Sequence, residues 1–403
     1  MKGQAEEERL VLRLEGRIDS GNADEWTGRI LDETERHPGA RLEFDAGGLL
    51  AISSAGLRML LSIQNKRKEK LAIRNVSPAV YEIFEMTGFT TLMDVVKERR
   101  FVSVENCPVI GRGAYGTVYR LDEDTVIKVF SREEDMPVIE SEQQKARQAF
   151  LLGIPTAIPF DIVRTEEGCG SVYEMVKAGN CCEILAAHPE RLEEITDMYT
   201  AFLKTVHAAE TADGGFPDQR QVYLGYLDDL AFLLPEGVRT GLKKLLEAMP
   251  RDSHIVHGDA HLKNVMLSGS DMMLIDMETL STGDPVFEFA ALFMTYMAFN
   301  EDDPENSLCF FGLGRELCTA LYTGTLRRYL DFPGEEEMRT VLDRVAAAGY
   351  IRFLYVVALR GMGGEQLRDK RIRHSVWHLE ELLERVDSLP LRAAREKGGE
   401  SGK

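Results

Sequence analysis

The chain has 403 residues, more than one ordinary domain holds, so two or three domains are expected. Its composition, 44% hydrophobic and 29% charged, is typical of a globular protein in water. With 48 basic against 67 acidic residues the formal net charge is −19, which argues against a nucleic-acid partner held through its phosphates.

No segment of the sequence indicates export or membrane insertion. The N-terminal stretch MKGQAEEERLVLRL lacks the apolar core that follows the basic start of a signal peptide. No apolar run reaches the roughly 18 residues of a membrane-spanning helix. The richest run, at 286–299, contains Glu288 and indicates a buried helix. We therefore expect a cytoplasmic protein without a membrane partner.

Strand and helix patterns alternate over the first 100 residues. Apolar alternation predicts three strands, and helical patterns with turn residues at their ends separate them. The predicted strands are 9–14, 40–48 and 71–76, and the predicted helices lie within 16–39, 53–70 and 77–89. This order predicts an α/β sandwich of about 100 residues.

Three pieces of this region, LEGRID (14–19), ISSAGLRMLL (52–61) and NVSPAVYEIFEMTGF (75–89), resemble the STAS domain, the fold of bacterial anti-sigma factor antagonists. The resemblance implies a STAS domain over 1–100 and a protein partner such as an anti-sigma factor. It also implies phosphorylation of Ser54, with Ser53 replacing the aspartate that often precedes that serine.

From the residues alone, the serine pair has a simpler role. Ser53 or Ser54 could cap the following helix by accepting a backbone N–H. A phosphate at a helix N-terminus is also well placed, because free N–H groups and the helix dipole favour anions.

A glycine pattern follows the charged segment KERRFVSVEN at 97–106. The stretch VIGRGAYGTVYRLDEDTVIKVF (109–130) contains Gly111, Gly113 and Gly116, followed by Val118. A dinucleotide-binding unit would continue into a helix. Here two strand patterns flank the turn DEDT, which favours the hairpin of a kinase glycine-rich loop. Lys128 in VIKVF then has the position of the lysine that contacts the α and β phosphates of ATP.

Such a lysine needs a carboxylate partner, and the predicted helix 138–152 offers two. Glu142 is the preferred residue and Glu140 the second choice, with Glu134 less favoured. The strand GSVYEMVKAG (170–179) fits the connection between lobes whose backbone holds an adenine. Glu174 and Val176 are the candidates there.

The segment IVHGDAHLKNVML (255–267) allows three interpretations: a metal site built from alternating histidine and aspartate, a phosphoryl-transfer loop, or a polar turn. A metal site would need further ligands nearby. A phosphoryl-transfer loop would need an asparagine five residues after the catalytic aspartate and a second aspartate after the next strand. Asp259, Asn264 and Asp276 meet these conditions. His257 and His261 are then expected to orient the loop.

HGDAHLKN, followed by LIDMETLSTGDPVFEFA, resembles the aminoglycoside phosphotransferase and choline kinase superfamily over about residues 105–380. The resemblance implies ATP-dependent transfer to a small molecule, with Asp259 catalytic and Asn264 and Asp276 binding Mg²⁺. Glu288 replaces the family's later aspartate, and we expect Asp284 and Glu288 to brace the loop. The DFG glycine and the A-P-E segment, which serve protein substrates, are missing.

The sequence therefore predicts an α/β STAS sandwich plus an α+β bilobal protein-kinase-like domain. The predicted ranges are 1–100 for STAS, 101–177 for a β-rich N-lobe, 178–388 for a helical C-lobe and 389–403 for a disordered tail. An ATP- and Mg²⁺-dependent phosphotransferase with a regulatory STAS domain is the first functional hypothesis. The alternative is a partner-switch protein whose kinase-like part senses nucleotide or phosphorylates Ser54.

Overall fold

The structure is a computed structural model that describes residues 9–113, 116–130, 136–211 and 215–392. It divides into two compact units, Met1–Ser103 with Val163–Thr165, and Val104–Ile162 with Glu166–Lys403. No helix among the described residues is long and apolar enough to cross a bilayer.

The first unit is a four-stranded parallel sheet in the order β1-β2-β3-β4. Its core is built from residues between Leu14 and Met93. The α/β class predicted for this region is confirmed. Its strands are Arg9–Ile18 (β1), Arg41–Ile52 (β2), Ala72–Val76 (β3) and Asp94–Lys97 (β4). Its helices are Ala23–Arg36 (α1), Ser54–Asn65 (α2), Pro78–Met86 (α3) and Phe89–Leu92 (α4).

Two boundaries in this unit differ from the prediction. Strand β2 continues beyond its predicted end at Gly48 to Ile52, and a Cβ on Gly48 would lie 2.9 Å from a side-chain carbon of Glu15 on β1. The glycine thus permits close packing of two irregularly paired strands. Helix α2 ends at Asn65, because the Gln64 side chain bonds the backbone of Glu69 and Leu71 and closes a turn.

The second unit begins with a five-stranded sheet in the order β5-β6-β7-β9-β8. Pairs β5–β6, β6–β7 and β7–β9 are antiparallel, which confirms the β-rich lobe and the hairpin around the glycines. The strands are Val109–Arg112 (β5), Thr117–Arg120 (β6), Thr125–Phe130 (β7), Pro159–Thr165 (β8) and Gly168–Glu174 (β9), and the helix of this lobe is Met136–Leu151 (α5).

The remainder of the second unit is the predicted helical lobe, with very short strand pairs around the candidate site. Its strands are Gly179–Asn180 (β10), Ile255–Val256 (β11), Val265–Ser268 (β12), Asp271–Leu274 (β13) and Ser281–Thr282 (β14). Its helices are Cys181–Ala187 (α6), Leu192–Ala208 (α7), Gln219–Asp229 (α8), Glu236–Glu247 (α9), Val286–Phe293 (α10), Phe299–Asp302 (α11), Asn306–Phe311 (α12), Arg315–Tyr329 (α13), Glu335–Leu359 (α14) and Glu365–Leu383 (α15). Shorter turns are Pro189–Arg191 and Leu262–Asn264, both 3-10, and the π-helical Met294–Ala298.

The predicted tail needs a correction at its start. Leu389 is buried in the helical core, and the backbone N–H groups of Leu391 and Arg392 donate to Asp284. Residues 389–392 are therefore packed rather than disordered, because an apolar side chain and a buried carboxylate hold them. Residues 393–403 lie outside the described part of the chain.

Candidate active site

The loop that follows β11 is fixed by one buried carboxylate. Glu288, in the first turn of α10, accepts the backbone N–H groups of His257 (2.7 Å), Gly258 (2.9 Å) and Ala260 (3.1 Å). Its Oε2 also lies 3.4 Å from Nε2 of His207. Loop N–H groups that no strand or helix satisfies are thus paired inside the protein. The predicted bracing role of Glu288 agrees with these contacts.

The charge of Glu288 is maintained by its donors. Burial by itself would raise the pKa of this carboxyl group, but the hydrogen bond and charge of His207, the charge of His257 and the N–H of Gly258 lower it to about 2. Glu288 is therefore ionised at neutral pH although it is fully buried.

Asp284 does not brace this loop directly, which corrects the prediction. Its Oδ1 accepts the N–H of Val286 (2.8 Å) at the start of α10 and the N–H of Leu391 (2.9 Å). Its Oδ2 accepts the N–H of Arg392 (3.0 Å). The carboxylate joins α10 to the last described residues. Its link to the loop runs through α10, which carries Glu288.

Asp259 projects from the braced loop with its side chain 31% exposed. Nδ2 of Asn264 donates to the Asp259 carbonyl (3.0 Å) and lies 3.3 Å from its Oδ2. Nε2 of His261 lies 3.7 Å from the same Oδ2. The structure thus brings together three residues that the sequence predicted, with an accessible carboxylate at their centre.

Both histidines of the loop, His257 and His261, are buried in the helical lobe. His257 is fully buried, and neither of its ring nitrogens has a hydrogen-bond partner among the described residues. His261 packs edge-on against Phe310 and Phe311, with centroids 5.9 and 5.5 Å apart. Neither histidine belongs to a cluster of three metal-ligand side chains in the described ranges, so the metal-triad interpretation finds no support there.

Asp276 lies beside this loop after β13. The N–H of Ile275 donates to the carbonyl of Asn264 (3.0 Å), which draws the two segments together. Asp276 has a φ of +66°, a left-handed backbone that aspartate tolerates better than most residues. Nδ2 of Asn264 is used by Asp259, so its Oδ1 and the 42% exposed carboxylate of Asp276 are left as oxygen donors. Oxygen donors of this kind suit Mg²⁺.

Lys128 connects the β-rich lobe to this centre. Its Nζ lies 3.0 Å from both carboxylate oxygens of Glu142 and 3.3 Å from Oδ1 of Asp276. Burial would lower the pKa of Lys128, but Glu142 and Asp276 raise it above the ordinary value, so the ammonium stays charged. The preferred glutamate is thus the one that lies beside the lysine. Glu134 falls outside the described residues.

Helix α5 makes a second contact with the segment that follows β13. Besides Glu142 it carries Lys145, whose ammonium donates to the backbone carbonyl of Glu278. Glu278 lies two residues after Asp276, and burial, reinforced by the charge of Asp276, raises the pKa of its carboxyl group. Sequence reasoning missed both residues, because neither belongs to the pattern that identified the loop.

The glycines line the hairpin β5–β6. Gly111 and Lys128 face Val118 from the two neighbouring strands, and the N–H of Gly113 donates to the carbonyl of Gly116 (2.9 Å). A Cβ on Gly116 would overlap the carbonyl oxygen of Val129, so this position requires glycine. Residues 114 and 115 lie outside the described ranges.

The predicted adenine segment begins at the last residue of β9. The N–H of Glu174 donates to the carbonyl of Ile158 (2.9 Å), and its carboxylate accepts the N–H of Ile158 (3.3 Å). The carbonyl of Val176 accepts the N–H of Ala178 (2.9 Å). Glu174 is thus fixed to the chain that enters β8, and Val176 forms a turn immediately after the sheet.

A buried arginine behind the loop was not predicted. Arg352 of α14 is 7% exposed, and a Cβ on Gly258 would lie 3.6 Å from its Nη1. Burial opposes its charge, but Tyr223 and Asp259 raise the pKa of the guanidinium. The only sequence signal was one arginine within the apolar run AAAGYIRFLYVVAL.

In the first unit, Ser53 rather than Ser54 caps α2. The Ser53 hydroxyl accepts the N–H of Ala55 at 3.2 Å. Ser54 is the first residue of the helix and is exposed. Capping is therefore assigned to Ser53, and phosphorylation of Ser54 stays a prediction.

Comparison with known proteins identifies both parts of the chain. Residues 106–340 match the model of a family described as "Phosphotransferase enzyme family". Residues 1–96 match a model described as "Mlab, STAS domain". A "Putative anti-sigma factor antagonist BtrV" from Bordetella bronchiseptica is 32% identical over 96 residues, which cover 22% of this chain and 79% of that protein.

Solved structures that match the chain have low sequence identity. Aminoglycoside phosphotransferase APH(2'')-Ib with ADP bound is 14% identical, with a TM-score of 0.49 over 75% of this chain and 98% of that one. A thermostable mutant of aminoglycoside phosphotransferase APH(4)-Ia is 13% identical, with a TM-score of 0.48 over 70% and 97%. A choline/ethanolamine kinase family protein from Mesorhizobium loti is 16% identical, with a TM-score of 0.45 over 69% and 88%.

Proposed function

The chain belongs to the phosphotransferase enzyme family, and from that premise we propose that it uses ATP and Mg²⁺ to phosphorylate a small molecule. The observation that supports this best is the position of Lys128. Its ammonium lies within 3.3 Å of Glu142 and of Asp276, which belong to opposite lobes. A cation held in this way is suited to contact the phosphates of a nucleotide bound between the lobes.

Each residue then has a defined task. Asp259 accepts the proton of the acceptor hydroxyl as its oxygen bonds to the γ-phosphorus and the bond to the β–γ bridging oxygen breaks, releasing ADP. Lys128 would contact the nucleotide phosphates, and Asn264 and Asp276 would hold Mg²⁺ through oxygen atoms. When bound there, the ion would neutralise charge on the β and γ phosphates. Glu288 keeps the loop that carries Asp259 in place.

The acceptor is proposed to be small and cationic. Residues 1–100 carry 16 basic and 17 acidic side chains, so the other 303 residues carry 32 and 50, a net charge of −18. Such a charge attracts an amino sugar or a choline-like amine. The missing A-P-E segment supports a small molecule over a protein substrate.

Replacement of Asp259 tests this function. Asp259→Asn should lower phosphoryl transfer to the best acceptor of a labelled-ATP screen by roughly 10²–10⁴-fold, because the amide cannot accept the proton. Nucleotide affinity should change little. Asp271→Asn, at the exposed start of β13, is the matched control. Transfer at the wild-type rate by Asp259→Asn would rule out the assigned base.

A regulatory role for the STAS domain is the second candidate. Ser54 is exposed at the start of α2, while Ser53 satisfies the helix end, so Ser54 is accessible to a kinase. Phosphorylation there would add about −1.5 to −2 charge to a surface that a partner such as an anti-sigma factor recognises.

Mass spectrometry after incubation with Mg·ATP tests whether the chain modifies itself. Phosphate on Ser54 in the wild type, and its loss in Asp259→Asn, would support self-phosphorylation. An unmodified Ser54 would exclude it. A pull-down that distinguishes Ser54→Ala from Ser54→Asp would instead support control by a separate kinase.

A further inference from the structure

We propose that Glu301, His374 and His378 form a binding site for a divalent transition metal ion such as Zn²⁺. These residues lie in the helical lobe, on α11 and α15, and none of them takes part in the proposed phosphotransfer. They are the group of potential metal ligands that stands out among the described residues.

The two histidines are preorganised by the helix. His374 and His378 are four residues apart on α15, so their side chains share one face. Their Nε2 atoms lie 3.1 Å apart. Two nitrogens bound to one tetrahedral Zn²⁺ at about 2.0–2.1 Å are separated by roughly 3.3 Å. The pair is therefore spaced as two ligands of one ion.

Glu301 supplies an oxygen that no protein hydrogen bond uses. Its Oε1 accepts the hydroxyl of Tyr350 at 2.6 Å. Its Oε2 is buried and has no hydrogen-bond partner among the described residues, although it lies 3.7 Å from Nε2 of His378 and 3.7 Å from Nδ1 of His374. A buried carboxylate oxygen without a donor is costly, and a cation between it and the imidazoles would remove that cost.

Surrounding side chains fix the orientation of the ligands. Oδ2 of Asp302 lies 3.4 Å from Nδ1 of His374, and its Oδ1 lies 3.0 Å from the ammonium of Lys370. A carboxylate that holds Nδ1–H leaves the lone pair on Nε2 for a metal. The ring of Tyr350 stacks on His378, with centroids 4.4 Å apart. Carboxylate partners such as Asp302 accompany metal-bound histidines in proteins.

The site would join two helices distant in the sequence. With three protein ligands and side chains 24–34% exposed, it is open to an ion from solvent and leaves a fourth position for water. A bound ion would hold α11 against α15 and stabilise the helical lobe, because the unfolded chain lacks a preformed site.

Trp377 provides an internal reporter for the test. Its ring centroid lies 4.6 Å from that of His378, and the chain contains one other tryptophan, Trp26. EDTA-treated Trp26→Phe protein, dialysed into metal-free buffer, should lose Trp377 fluorescence on addition of one equivalent of Cu²⁺ or Ni²⁺. Zn²⁺ should bind with one-to-one stoichiometry by calorimetry. Excess Mg²⁺ in all samples keeps the phosphotransfer residues from competing.

Replacement of the ligands completes the test. His374→Ala, His378→Ala and Glu301→Gln should each weaken Zn²⁺ binding at least tenfold. His188→Ala, which removes an exposed histidine on another segment, should bind as the wild type does. Zn²⁺ at 100 times the wild-type Kd should raise the Tm of the wild type by roughly 5 °C and the Tm of His374→Ala by at most about half as much.

Two outcomes would overturn the site. The first is a wild type that shows neither one-to-one Zn²⁺ binding nor fluorescence quenching. That result would make the histidine pair a simple N–H···N hydrogen bond. The second is undiminished binding in Glu301→Gln and both histidine variants. Glu301→Gln keeps the shape and the oxygen that accepts from Tyr350, so it decides the question even if a histidine variant does not fold.

Discussion

Lys128 places one positive charge between two carboxylates that play different parts. Glu142 is almost completely buried and holds both its oxygens 3.0 Å from the ammonium, whereas Asp276 is 42% exposed and has a single contact at 3.3 Å. The buried partner fixes the lysine. The exposed partner is the one that the proposed nucleotide and Mg²⁺ would draw away without uncovering a buried charge.

The effects of replacing Lys128 and Glu142 on kcat/KM for ATP should therefore not be additive. Lys128→Met and Glu142→Gln should each lower kcat/KM for ATP by about 100-fold, because each removes the same charge-assisted contact. The double variant should be little worse than either single one. Steady-state kinetics at varied ATP measure this. Lys244→Met, an exposed lysine on α9, is the control, and losses that multiply would show that the two residues act separately.

At the residue scale, the sequence predicted the polar residues of the candidate site better than the residues on other elements that contact them. Asp259, Asn264 and Asp276 follow from spacing within one local pattern. Arg352 and Lys145 could not be found in that way, because they lie on helices far from the loop in sequence. Choosing Glu142 over Glu140 depended on which residue faces β7, and a helical pattern alone leaves that choice open.

Helix α10 is the element on which the loop geometry depends. Its eight residues are all buried, and its first turn presents Glu288 to three loop N–H groups. The pKa of Glu288, about 2, is lower than the ordinary 4.5. Ionised Glu288 therefore stabilises the fold above about pH 4.5, and this stabilisation is lost as the pH falls toward 2.

This linkage gives a measurable difference between pH 6 and pH 3. The full pKa difference corresponds to about 3 kcal/mol, so the wild type should lose roughly 2 kcal/mol more free energy of unfolding over this range than Glu288→Gln. Urea titrations followed by Trp377 fluorescence in a Trp26→Phe background report on the lobe that contains α10. Glu337→Gln, which changes an exposed glutamate, should behave as the wild type does. Equal losses in Glu288→Gln and the wild type would contradict the assigned role.

Elements were predictable where their pattern was long. The hairpin β6–β7, the helix α5 and the buried run that became α10 have enough residues for periodicity to identify them. The two-residue strands β10, β11 and β14 have no period, and tertiary pairing alone defines them. Helix α10 also passes into a π-helical turn at Met294–Ala298, which an apolar run does not reveal.

The whole second unit is closed by its last described residues. Leu389 is 1% exposed, and Arg392 donates to the carbonyl of His207 and lies 3.3 Å from Asp252. The same segment supplies two of the N–H donors of Asp284. After α15 the chain therefore returns to His207, Asp252 and Asp284, a long-range contact that composition could not indicate.

A shortened chain tests this closure. A variant ending at Ser388 should lose about 3 kcal/mol of unfolding free energy, because it loses the burial of Leu389 and leaves Asp284 short of donors. A variant ending at Arg392 keeps both interactions and should match the full chain. Thermal unfolding measured by circular dichroism compares them. Equal Tm values would show that residues 389–392 do not stabilise the unit.

Two separate requirements restrict which side chains position 276 accepts: the left-handed backbone, which folding needs, and the carboxylate, which the proposed phosphoryl transfer needs. Glycine and asparagine adopt a φ of +66° at low cost, whereas β-branched side chains do not. When all residues are tested at position 276, a selection for folded protein should retain aspartate, asparagine and glycine. A selection for phosphoryl transfer should retain aspartate alone. Asp276→Asn and Asp276→Gly should thus be folded but inactive in phosphoryl transfer. They are therefore the variants to use in capture experiments that identify molecules bound by the intact protein.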